Sequence, residues 1–159
     1  MKQTLIVFYS RSGYTRRVAA ELASALDADV AEIIERRSRS GLLGYLRSGY
    51  DVMKKRAAVI EPLAHSLRDY ATVIVGTPVW AGHVCTPVRA FLDTYASGIA
   101  RVGLFCTYGG SGADRCLGEM QGLCGVEPVA TLALTDREID AHDAAKEQAF
   151  VRSMRAART

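Results

Sequence analysis

The chain lacks the features that would place it in a membrane or in an oxidising compartment. The apolar run after Met1-Lys2-Gln3, TLIVFY, stops before Ser10. It is far shorter than the roughly 20 residues of a membrane span, and no signal-peptide cleavage pattern follows it. Cysteine occurs four times, at Cys85, Cys106, Cys116 and Cys124, with no C-x-x-C pair and no histidine spacing of a zinc site. On one helix Cys116 and Cys124 would stand about 12 Å apart at ~1.5 Å per residue, beyond the ~7 Å reach of a disulfide. Reduced, partly buried thiols in a cytoplasmic protein are therefore expected. Internal repeats, low-complexity tracts and a domain linker are also missing. Residues 1–159 thus read as one domain, long enough to bury a core.

Acidic residues are scarce in one stretch. Residues 36–56 hold seven cations (Arg36, Arg37, Arg39, Arg47, Lys54, Lys55 and Arg56) against the single acid Asp51, a net +6, while the whole chain carries +3. The remainder is therefore acidic, so the basic character belongs to one segment and nucleic acid is not an expected partner. Leu42, Leu43, Leu46, Tyr50 and Met53 keep a helical spacing there, which predicts a basic amphipathic insert at about 36–60.

Elsewhere strand-like and helical patterns alternate. Strands are expected at Thr4–Tyr9, Asp29–Glu35, Thr72–Gly76, Arg101–Thr107 and Val129–Leu134. LIVFY, TVIV and VGLFC are nearly continuous apolar runs, as in parallel strands covered on both faces. Between them, Val18, Leu22 and Leu26 repeat at spacing four, and Thr86-Pro87 opens a helix whose stripe is Val88, Phe91, Leu92 and Tyr95. Leu117, Met120 and Cys124 form another stripe, and Glu138 to Arg158 reads as a closing helix. The sum is a doubly wound α/β domain with the insert between strands two and three.

In such sheets ligands bind beyond the carboxyl ends of the strands, so the loops after strands one, three and four carry the site. The first, SRSGYT (Ser10, Arg11, Ser12, Gly13, Tyr14, Thr15), offers the three hydroxyls of Ser10, Ser12 and Thr15 beside the Tyr14 phenol, a glycine and a following helix N-terminus. It is too short for a Walker loop and has no lysine. It suits a phosphate, and by itself also fits a capped strand-to-helix turn. The second, GTPVWAGHVCTP, places Trp80, the chain's one tryptophan, in a loop as a stacking face for a flat ring, or packed on a neighbouring helix. The third, CTYGGSGAD, offers Tyr108 with Gly109, Gly110 and Gly112, and does not meet the dinucleotide spacing G-x-G-x-x-G. A phosphate turn with two aromatic, glycine-rich loops fits a mononucleotide with a broad planar ring, a flavin.

On these motifs the chain resembles the flavodoxin superfamily over nearly its whole length. YSRSGYT looks like that family's Ser/Thr-rich phosphate turn, with Ser12 for its middle threonine; GTPVWAG with FLD, and YGGSG, resemble its second and third flavin loops. The resemblance implies a three-layer α/β/α sandwich with a five-stranded parallel sheet of order 2-1-3-4-5, and FMN as cofactor. Its phosphate would sit on Ser10, Ser12, Gly13, the Tyr14 backbone and Thr15, with Arg11 beside it. The ring would lie between Thr77, Pro78, Val79, Trp80, Ala81 and Gly82 on one side and Thr107, Tyr108, Gly109, Gly110 and Gly112 on the other. No metal is implied.

The implied task is electron transfer with a redox partner protein. The alternative is an oxidoreductase moving electrons from NAD(P)H to quinones or similar acceptors, and a third reading is a flavin-free interaction module. Acidic flavodoxins carry carboxylates in their flavin loops, whereas residues 10–15, 77–86 and 107–113 have none. A less negative potential for the second reduction step is expected, because no loop carboxylate opposes the anionic reduced ring. His83 is the candidate to protonate reduced flavin or orient a substrate, unless it is structural or solvent-facing. Cys106 reads as a redox-active thiol or a buried small residue. The insert fits a solvated face, a dock for an acidic partner or the 2′-phosphate of NADPH, or contact with an anionic membrane surface. The protein is expected as a monomer or dimer.

Overall fold

The structure, a computed structural model, describes residues 2–36 and 58–158. The described chain runs β1 (Thr4–Phe8), α1 (Tyr14–Leu26), β2 (Asp29–Glu32), β3 (Thr72–Trp80), β4 (His83–Val84), α2 (Thr86–Tyr95), β5 (Val102–Tyr108), α3 (Ala113–Cys124), β6 (Thr131–Thr135), α4 (Asp136–Asp140) and α5 (Ala145–Ala156). The strands lie in the order β2-β1-β3-β5-β6, all parallel. The two-residue β4 turns back antiparallel on the end of β3. Without that short addition, the five parallel strands have the expected order 2-1-3-4-5.

The layers follow from side-chain alternation along buried strands. Leu5, Val7, Val73, Val75, Leu104 and Cys106 face one side and pack with Val88, Phe91, Leu92 and Met120 of α2 and α3. Ile6, Phe8, Ile74, Phe105, Leu132 and Leu134 face the other and pack with Val18, Leu22, Leu26, Phe150 and Met154 of α1 and α5. All of β1 is buried, as its unbroken apolar run requires.

Three boundaries differ from the sequence reading by more than a residue or two at an element's end, or by a break within it. β3 continues past Gly76 to Trp80, because the β4 turn pairs Val79 with Val84 and Trp80 with His83. β2 stops at Glu32, and Glu35 instead makes an isolated bridge to Ile60. The closing helix is two helices. A capping box, in which Thr135 Oγ1 accepts from Glu138 N–H and Glu138 Oε2 accepts from Thr135 N–H, starts α4 early. His142 then takes a left-handed φ of 54° that breaks the run before α5.

Of the expected amphipathic insert at about 36–60, residues 37–57 lie outside the described residues. Its two flanks meet: Arg36 N–H donates to Val59 O at 3.1 Å, and Glu61 N–H to Ile34 O at 2.8 Å. Among the described residues no helix is long and apolar enough to cross a membrane.

Where α1 and α5 pack, burial and the neighbouring Glu21 carboxyl push the Glu147 carboxyl up from 4.5 to about 7. The folded chain therefore holds a proton through a window in which the unfolded chain has released it. This contribution is fully present below pH 4.5 and is lost as pH rises through about 7. Glu147 is half-buried, so solvent screening limits the effect to about 1–2 kcal/mol. Denaturant melts at pH 5.5 and 8 should show higher stability at the lower pH from this pair, and Glu147→Gln should flatten the difference. An unchanged difference in the variant would contradict the assignment.

Candidate functional site

The three loops meet at the carboxyl edge of the sheet. Ser10 to Gly13 link β1 to α1, and Gly13 caps the helix with a φ of 104° and no side-chain cap bond. That positive φ, which glycine adopts without strain, turns the backbone so that Gly13 N–H and Arg16 N–H both donate to Ser10 Oγ, at 3.1 and 3.3 Å. Two backbone donors therefore converge on one oxygen. The first turn of α1 holds no acid, so the positive end of its dipole is not offset there. Ser12 is exposed, and Arg11, Gly13 and Tyr14 are half-buried. The turn gathers backbone N–H groups, the exposed Ser12 hydroxyl and an uncancelled helix N-terminus, a donor chemistry that fits a phosphate monoester.

Thr15 is turned inward. It is buried, and its Oγ1 shares a 2.9 Å hydrogen bond with Thr107 Oγ1, tying the first loop to the third. Tyr14 OH donates to Asp140 Oδ2 at 2.7 Å, and this bond raises its pKa. Arg17 reaches the same carboxylate at 3.2 Å. The phosphate turn is thereby braced against α4.

In the second loop the structure corrects the placement of two expected residues. Trp80 ends a strand and is 6% exposed, packed edge-on to Tyr9 with ring centroids 5.6 Å apart. The β4 pairing holds it in the sheet, so its ring is part of the core and not a free loop face. Thr77 is fully buried; its Oγ1 donates to Pro78 O and accepts from Cys85 N–H, and so fastens the turn. Pro78 and Val79 remain half-buried at the edge, Ala81 is exposed, and Gly82 is half-buried.

In the third loop Thr107 is buried, Tyr108 and Gly112 are half-buried, and Gly109 and Gly110 are exposed. Gly112 has a φ of 94°, and a Cβ built on it would lie 2.6 Å from Gly82 Cα. The second and third loops thus touch backbone to backbone.

Sequence reasoning missed two features. Glu119 of α3 holds His83 of β4 at Nδ1, and its other oxygen accepts from Arg89 Nη2 of α2 at 2.6 Å. Asp136, after β6, brings Oδ2 within 3.8 Å of the position a Gly109 Cβ would take. Burial and the neighbouring Asp140 raise the Asp136 pKa. The loops themselves carry no acid, yet the fold supplies one. No local signal marks these groups, because the partners lie on separate elements.

All four cysteines are free and buried. The Cys116 thiol is held strongly upward in pKa by its hydrogen bond to Cys106 and by burial, so it stays protonated and a poor nucleophile. Cys106, fully buried beneath the third loop, packs as a small core residue.

A sequence profile described as Flavodoxin matches residues 3–132. None of the curated proteins matches the sequence. Among solved structures, the fold is similar to a flavoprotein of Lactobacillus acidophilus NCFM in complex with FMN. The two are 21% identical, covering 89% of this chain and 98% of that one, with a TM-score of 0.68. It is also similar to the two-electron reduced flavodoxin of Megasphaera elsdenii, 19% identical over 84% of this chain and 85% of that one, TM-score 0.53. A WrbA-like flavodoxin of Agrobacterium tumefaciens is 19% identical over 79% of this chain and 73% of that one, TM-score 0.55.

Proposed function

Because this chain belongs to the flavodoxin family, we propose that it holds FMN at the three-loop edge and transfers electrons through it. The observation that carries this reading is the glycine turn at an acid-free helix N-terminus, where Gly13 N–H and Arg16 N–H point inward onto Ser10 Oγ. Ser10, Ser12, Gly13 and the Tyr14 backbone would hold the phosphate, with Thr15 bracing the turn from within through Thr107. Pro78, Val79, Ala81 and Gly82 with residues 108–112 would flank the ring, above the buried Trp80 and Thr107. Bound FMN supplies uptake and release of one or two electrons. The chain's part is to fix the phosphate, limit water at the ring through the touching second and third loops, and set the local field.

Flavin fluorescence titration tests the phosphate grip. FMN should bind at least about tenfold more tightly than riboflavin, since a charge-assisted hydrogen bond contributes ~1.5–3 kcal/mol. Ser12→Asp adds a negative charge at an exposed turn position. It should weaken FMN by about tenfold or more with no change in melting, and leave riboflavin affinity nearly unaltered. Equal affinity for FMN and riboflavin would remove the phosphate site.

With FMN bound, the second one-electron step is expected at a less negative potential than in flavodoxins with acidic flavin loops. Asp136 is the carboxylate that the fold brings to Gly109, and Asp136→Asn should move the second step further in the same direction. Spectroelectrochemistry of the two forms reads the difference, and a shift the opposite way contradicts it.

A second reading, a reductase taking electrons from NAD(P)H to quinones or similar acceptors, is favoured by the exposed Gly109 and Gly110, which leave open backbone beside the site. Anaerobic NADPH separates the two. Absence of flavin bleaching supports the carrier, and prompt bleaching supports the reductase.

A further inference from the structure

Outside the phosphate turn, the most organised set of titratable groups at this edge is a three-residue chain from three elements. His83 of β4 is bonded through Nδ1 to Glu119 Oε1 of α3, and Arg89 of α2 donates to Glu119 Oε2 at 2.6 Å. The Glu119 side chain is 22% exposed, whereas that of His83 is 38% exposed. The carboxylate is therefore fixed at both oxygens, while the imidazole keeps access to solvent. Nδ1 is the ring nitrogen hydrogen-bonded among the described residues. A carboxylate on Nδ1 fixes the tautomer and leaves Nε2 to take or give a proton.

The position matters as much as the chemistry. His83 follows Gly82, which abuts Gly112, so its backbone stands at the junction of the second and third loops and its ring meets Glu119 of α3. The charged groups facing this junction are Glu119 and Arg115 from α3 and Arg89 from α2; β3 contributes Val79 and Trp80, neither of them charged. The Arg115 guanidinium lies 3.5 Å from where a Gly82 Cβ would be. Glu119 is thus shared between Arg89 and His83, with the Arg115 charge beside Gly82, and protonation of His83 changes the local charge by one.

We infer that Glu119 and Arg89 are positioning residues that hold His83 as the proton-accepting group of this edge, so that electron uptake between the second and third loops is coupled to protonation of His83 at Nε2. The inference rests on the FMN reading above. In balance, one electron from a one-electron reductant adds a negative charge between the loops, and one proton from water binds Nε2; no covalent bond to a ligand is made or broken. The gained imidazolium offsets the gained negative charge by Coulomb attraction. When the electron leaves to an acceptor, the proton returns to water.

Two measurements on the full chain test it. Nitrogen NMR of the histidine rings, with and without FMN, should show neutral His83 protonated at Nδ1, and this preference should be lost in Glu119→Gln. Spectroelectrochemistry across pH should show a bend in the potential of the second step at the pH where the His83 ring titrates by NMR. His83→Gln should remove the bend, and Arg89→Gln should displace it together with the NMR midpoint. A bend that survives in His83→Gln, or an FMN-loaded protein whose potential ignores the His83 titration, overturns the inference. Failure to bind FMN is a separate outcome, seen in the titration with FMN. It overturns the underlying reading, and the inference with it, whatever tautomer His83 shows.

Discussion

Gly112→Ala is expected to lower both stability and FMN affinity, more than any other single methyl added to the loops. Two effects act together. The φ of 94° is strained for a residue with a side chain, at about 1–3 kcal/mol. The new Cβ would also fall 2.6 Å from Gly82 Cα and 3.3 Å from Val79 Cγ1. The first neighbour is backbone in the β3–β4 turn, which has no side chain to rotate away. That turn is fastened from below by Thr77 and by the pairing of Trp80 with His83, so relief requires the second loop to move as a unit. FMN affinity should fall by about tenfold or more, the equivalent of ~1.4 kcal/mol or more. Gly110→Ala is the matched control, since nothing lies within 4 Å of its added methyl. Isothermal titration of the two variants decides the matter. Equal losses in both would show that loop flexibility, and not the contact with Gly82, is the cause.

Gly76→Ala is expected to destabilise the whole sheet without touching the loops directly. Gly76 lies on β3 beside Phe105 of β5, and a Cβ there would overlap the Phe105 ring at 2.0 Å from Cζ. The ring is fully buried and packs in the cluster with α1 and α5, so it has no open volume to enter. Overpacking of this kind costs about 1–3 kcal/mol, which lowers Tm by several degrees in a domain of this size. The partner substitution identifies the cause. Phe105→Leu alone should destabilise by leaving a void. Combined with Gly76→Ala, it should cost less than the two separate losses together, because the shorter side chain admits the methyl. Additive losses would mean that Gly76 is needed for some reason other than the ring.

These two glycines differ in how far the sequence marks them. Gly112 lies in YGGSG, where its role as a loop glycine is legible and its contact with Gly82 is not. Gly76 reads as the end of a strand, and only the β3–β5 register reveals what stands over it. The site divides in the same way. Ser10, Gly13 and the helix that follows form one continuous stretch, so local pattern is enough to suggest an anion turn. Trp80 reads as a loop residue because the apolar run TVIV ends at Val75, and Gly76 and Pro78 after it carry turn character. The antiparallel pairing with β4 nevertheless carries the strand onward to Trp80.

What the sequence by itself determined is therefore what periodicity and nearest neighbours encode. The buried apolar runs dictate strands covered on both faces, the stripes at helical spacing dictate helices that cover them, and short loops between the two dictate a parallel, doubly wound sheet. Those rules also place the three loops on one edge. The tertiary structure alone decided which groups meet there: His83 and Arg89 each with Glu119, Thr15 with Thr107, Asp136 with the Gly109 backbone position, and Trp80 with Tyr9. Each pair comes from different elements, so its geometry depends on strand register and on how deeply each helix seats against the sheet. Neither quantity leaves a local trace in the chain, because packing energy is shared among many small contacts and not carried by a motif.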